Sequence, residues 1–118
     1  MVTLKMYKRD DKSFPLTITD NQGTPIDITG DTIFFTVKAA ETDTDANALI
    51  KVDVTSHTDP TAGKTTITIP KAKSNTIVGE HYFDIQRLHG TSISTICKGT
   101  FHLIQDITIR TATGQTGV

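Results

Sequence analysis

The 118-residue chain sets 12 Lys and Arg against 13 Asp and Glu for a net charge of −1, with 36% hydrophobic and 21% charged residues. That length suits one domain with one ordinary core, roughly 65% of the unfolded surface being buried, and the composition lies outside the disordered regime. Scattered rather than clustered Lys and Arg set aside nucleic acid and anionic membranes as partners, and a single cysteine, Cys97, excludes an intramolecular disulfide or a thiolate metal cluster.

The segment 1–11 lacks the apolar core and cleavage site of a signal peptide, and no apolar run approaches the roughly 20 residues that span a bilayer, so folding in a cytoplasm is expected. Val2, Leu4 and Met6 alternate with Thr3, Lys5 and Tyr7. The polar stretch Lys8 to Ser13 sets this arm, residues 1–12, apart from the next strand. Phe14, Leu16 and Ile18 alternate next, and Asp20 to Gly23 favours a tight turn. Pro15 has no N–H to give a ladder, which places its strand at a sheet edge.

Pro25 to Ile28 forms a short extended piece closed by Thr29 and Gly30, and Ile33, Phe35 and Val37 resume the two-residue period. The acidic, Thr-rich run Glu41 to Ala46 reads as a solvated loop. Ile50, Val52 and Val54 follow, then a turn at Asp59 to Gly63, then Thr65, Ile67 and Ile69. Lys71 to Ile77 has room for a helical corner and nothing longer. His81, Phe83 and Ile85 then alternate with Tyr82, Asp84 and Gln86, a turn falls at Leu88 to Gly90, and the chain returns through Ile93, Ile96, Phe101, Leu103, Ile107 and Ile109. That is a long hairpin. Residues 111–118 are small and polar, a frayed tail.

These patterns predict an all-β domain of seven to nine short strands over residues 13–110, built as two antiparallel sheets face to face, with a closed small barrel as the alternative that periodicity does not separate. The expected core is Leu16, Ile18, Ile33, Phe35, Val37, Ile50, Val52, Ile67, Ile69, Phe83, Ile85, Phe101 and Leu103.

The ordered combination of the Asp20 to Gly23 turn, the segment Pro25 to Gly30, the strand Ile33 to Lys38, the Asp59 to Gly63 turn, Gly79 to Gln86 and Lys98 to Phe101 resembles immunoglobulin-like domains of bacteriophage virions. The closest likeness is to the N-terminal domains of baseplate upper proteins and to small tail-associated proteins, over about Phe14 to Arg110. The resemblance implies an immunoglobulin-like β-sandwich that attaches to or decorates a virion through its sheet edges and loops. Where an aromatic residue is expected in the penultimate strand this chain has Gly79-Glu80-His81. If His81 takes the place of a tyrosine corner, its ring must supply the hydrogen bond of the missing hydroxyl.

Residue chemistry points to few sites. Asp43, Asp45 and Asn47 match the first three ligand positions of a calcium loop, but Ala48 and Val54 stand where the loop needs Gly and a bidentate Glu. His57, His81, His89 and His102 lack the spacing of a zinc site. The run Gly90 to Ser94 is not a nucleophile elbow, Cys97 reads as a small core residue despite Lys98 beside it, and Thr113 to Gly117 is not a phosphate loop. The expectation is a protein with no catalytic residue, no cofactor and no bound metal. Its partners would be other virion structural proteins and copies of itself within the particle, and an adhesion or capsid-decoration module is the alternative. The arm residues Val2, Leu4, Met6 and Tyr7 are the candidate interaction strand, suited to pairing with a neighbour's sheet edge or to completing their own sheet.

Overall fold

The computed structural model describes residues 2–107, so the tail at 111–118 and Ile109 and Arg110 lie outside the described residues. Strict alternation organises the chain. In Thr32–Lys38 the side chains of Ile33, Phe35 and Val37 are buried, while Thr32, Phe34, Thr36 and Lys38 on the opposite face are half-buried. Successive Cβ atoms of a strand point to opposite faces, so this one segment faces a core and a second, outer surface at once.

The strands in chain order are β1 (Val2–Tyr7), β2 (Lys12–Thr17), β3 (Thr32–Lys38), β4 (Ile50–Val54), β5 (Lys64–Ile69), β6 (Gly79–His89) and β7 (Ser92–Ile104), with one α-helical turn, α1 (Lys71–Ser74), before β6 and short 3-10 turns at Asp45–Asn47 and Pro60–Ala62. The fold is all-β. One sheet has five strands in the order β1-β7-β6-β3-β4, and the other has two, β2 and β5. Phe14 of β2 meets Phe35 of β3 edge to face at 5.7 Å between centroids, so the small sheet lies against the inner face of the large one. Pro15 faces Thr66 in the two-stranded sheet, where each strand is an edge.

Purely antiparallel pairing is corrected at one place. The last strand, β7, runs parallel to β1, from Val2 opposite Gly99 to Tyr7 opposite Ile104. Neighbouring strands such as β6 and β7 are held antiparallel by a short turn, but the whole domain separates β1 from β7, so no hairpin dictates their direction. The change of sheet after β1 is made at Arg9, whose φ of 66° is the one left-handed value at a non-glycine among the described residues. Two hydrogen bonds hold it there, Nε to Asp106 Oδ2 at 3.1 Å and Nη2 to Asp106 Oδ1 at 2.6 Å. A bidentate pair of this kind offsets the strain of the turn.

The core comprises Met6, Ile18, Ile28, Ile33, Phe35, Val37, Ile50, Ile67, Ile69, Phe83, Ile85, Phe101 and Leu103. Leu16 and Val52, expected within it, are only partly buried and pack against it from β2 and β4. Met6 and Ile28 join instead, Met6 because β1 docks on β7 and Ile28 because its N–H donates to the Pro60 carbonyl at 2.9 Å and pins the loop inward.

That loop depends on Gly63. Its φ is 72°, and a Cβ there would lie 2.6 Å from the Ile18 carbonyl oxygen and 2.8 Å from that of Ile26. Gly63→Ala is expected to lose more stability than the ~1–2 kcal/mol of a left-handed alanine alone. Gly23→Ala, at a φ of 81° with nothing within 4 Å, should lose only the backbone cost. Urea denaturation of the two variants side by side checks the difference.

Candidate functional site

The outer face of the five-stranded sheet is a grid set by strand register. One row across it reads Asp53, Phe34, Gln86 and Thr95, from β4 to β7. The next reads Lys51, Thr36, Asp84 and Lys98, and a third places Lys38 beside Tyr82 and Thr100. The extra residue of β7 at the bulge between Ile85 and Gln86 bends the hairpin here. The loop after β3 adds Glu41, Thr42 and Asp45 along one side, which turns the face into an open cleft of about 710 Å³. Phe34 and Tyr82 supply apolar surface there, Tyr82 being 41% exposed, and Ile93 near the hairpin end is 56% exposed.

Charges in the cleft are unevenly matched. Lys38 Nζ bonds Asp45 Oδ1 at 2.8 Å and the Asp43 carbonyl at 2.9 Å, and Lys98 Nζ lies 3.8 Å from Glu41 Oε1. Among the described residues no ion pair reaches Asp84 within 4.0 Å, although Lys98 stands opposite it in the ladder. Burial raises the Asp84 carboxyl above its ordinary value and the Asp45 charge adds to this, against partial relief from Lys38 and Lys98. By contrast, hydrogen bonds and charge from Lys38 lower the Asp45 carboxyl.

A second polar cluster sits at the other end of β3. Asp31, 3% exposed, receives Arg87 Nε on Oδ2 and His89 Nδ1 on Oδ1, each at 2.6 Å. Its carbonyl accepts from His57 Nε2 at 2.7 Å, and His57 Nδ1 faces the Thr65 hydroxyl at 2.9 Å. Burial alone would raise the Asp31 carboxyl, but the bonds from His89 and Arg87, and then their charges, outweigh it and hold it low. The end of β6 and the loop after β4 thus bring two of the four histidines, His89 and His57, to one aspartate. His81 lies elsewhere, buried, with Nε2 donating to the Ile77 carbonyl at 2.7 Å. His102 lies on β7 opposite Glu80.

The remaining candidates are dispersed. Asp43 Oδ2 accepts the Ala40 N–H at 3.1 Å while the Asp45 carboxylate turns to Lys38, so the two carboxylates of the acidic loop serve different partners. Among the described residues no group of three His, Cys, Asp or Glu is placed to hold a metal ion. Cys97 is half-buried against the core. Of the arm residues, Val2 opens β1 opposite Gly99, Leu4 is partly buried, Met6 is in the core, and Tyr7 is 52% exposed. Sequence reasoning passed over Phe34 and Asp84 as site residues. The available signal was Phe34 itself, an aromatic residue in the outward phase of an otherwise regular strand.

Asp31→Asn is expected to cost about 1.5–3 kcal/mol at neutral pH, the worth of hydrogen bonds to charged groups. Because the folded-state value is lowered, this contribution is complete above 3.8 and is lost as pH falls through the folded value. Wild-type and variant stabilities should therefore converge in acid, as urea melts across that range would record. Asp84 has the opposite sign. Its penalty is complete above the raised folded value and is relieved as pH falls through it, so Asp84→Asn should raise Tm at neutral pH and lose that advantage in acid. No protein-family model matches the chain, and no curated protein shows significant similarity to it.

Proposed function

We propose that this chain is a non-catalytic, immunoglobulin-like interaction module of a bacteriophage particle, working in tail, baseplate or neck assembly alongside other structural proteins and copies of itself. The sandwich part of this reading is supported by strand order. With β3, β6 and β7 as strands C, F and G, β4 is the added hairpin strand beside C, and β2 and β5 take the places of B and E in the opposing sheet. The bond from His81 to Ile77, near the start of β6, supports it further.

The observation that carries the interaction reading is the outer face. A cleft floored by a sheet and mixing Phe34 and Tyr82 with Lys and Asp side chains has the composition of a protein-binding surface: aromatic anchors within a polar rim. Among the described residues the outer edge of β1 also has no partner strand, and charged Lys5 stands there, a residue type that discourages indiscriminate pairing. The virion assignment rests on the sequence resemblance. Receptor binding is the second reading, favoured by the exposed hairpin end around Ile93.

Antibodies raised against the protein should label washed phage particles at the tail, baseplate or neck in electron micrographs. Labelling confined to the head would move the assignment to capsid decoration. Absence of the chain from the particles, checked by mass spectrometry, would overturn it.

A further inference from the structure

We propose that the outer-face cleft seats a basic side chain, arginine or lysine, carried by a polypeptide partner, with Asp84 as its carboxylate and Phe34 and Tyr82 on either side. This deepens the interaction reading and rests on it. Charge complementarity selects the occupant. The two cations nearest Asp84 are directed elsewhere, Lys38 to Asp45 and the Asp43 carbonyl, Lys98 toward Glu41. Lys51 shares the row of Asp84, but Thr36 of β3 stands between them, so it lies two strand spacings away, roughly 10 Å.

Asp84 is consequently a half-buried carboxylate without an ion-pair partner, in a setting where burial penalises its charge. Lys51 and Lys98 also line the cleft, but at Asp84 itself an incoming cation relieves the penalty of burial and an incoming carboxylate deepens it. The neighbouring surface suits the remainder of such a residue. Phe34 lies one row to one side of Asp84, on β3, and Tyr82 one row to the other, on β6. Their exposed ring surfaces can cover an aliphatic stem and attract a cation. Arginine fits better than lysine, because its planar fork can bond a carboxylate through two N–H groups while stacking on a ring. The cleft volume of about 710 Å³ leaves space for residues flanking the basic one.

The test uses two capped pentapeptides, Ala-Ala-Arg-Ala-Ala and Ala-Ala-Glu-Ala-Ala, titrated to millimolar concentration into the full chain and followed by amide chemical shifts. The arginine peptide should move the signals of Phe34, Thr36, Asp84 and Lys98 and the glutamate peptide should not. Asp84→Asn should weaken the arginine peptide by about tenfold, or ~1.4 kcal/mol, while its thermal melt shows the fold retained. Equal responses to both peptides, shifts confined to another surface, no shifts, or undiminished binding by the variant would each overturn the proposal. Incorporation into particles separates it from the broader reading. If native protein is in the particle but the peptides are not discriminated, only the basic side chain falls. If native protein is absent while the peptides are discriminated, assembly falls and the cleft's preference stands.

Discussion

The ring of Phe35 lies among three others, 5.7 Å from Phe14, 5.7 Å from Phe83 and 6.1 Å from Phe101 between centroids, and so ties β2, β6 and β7 to the middle of β3. Apolar burial and edge-to-face geometry both reward this arrangement, and together they fix which phase of β3 points inward. Because the side-chain period is two, the phase of the outer face is fixed with it: Phe34, Thr36 and Lys38 have no other place to go. Any slip by one residue would expose Phe35 and bury Lys38. The cleft is therefore the reverse side of the core, and its geometry inherits the rigidity of the packing behind it.

Much of this was legible in the chain itself. Alternation located the strands, the turn residues located the ends of β5 and β6, and eleven expected core positions are fully buried, from Ile18 to Leu103. What escaped depends on register between segments far apart in sequence. Nothing local in Asp31, Arg87 and His89 announces that one carboxylate gathers the other two, since the relation exists only once β3 is laid beside β6. The parallel course of β1 was hidden for the same reason. His81 lies between these cases, because its inward phase was legible in the alternation while its bond to the Ile77 carbonyl is seen only in the folded chain.

Asp31 and Asp84 show how one residue type takes opposite parts in one sheet. Both lie where burial disfavours charge. Asp31 has an arginine and a histidine within hydrogen-bonding distance and becomes a fixed joint between the start of β3 and the end of β6. Asp84 has neighbours whose cations are committed elsewhere, and its charge is sustained at some expense to the fold. A surface tuned only for stability would replace it.

The parallel pairing of β1 with β7 has a mechanical consequence. Tension applied between Val2 and Ile104 pulls the two strands lengthwise past each other, because the chain enters the ladder at one end of the pair and leaves it at the other. Their hydrogen bonds then resist together in shear instead of parting one after another like a zipper. The Arg9–Asp106 clasp stands beyond the exit end and reinforces the same seam. A subunit strung in line within a larger assembly would thus transmit a pull across its outermost seam without first opening its core.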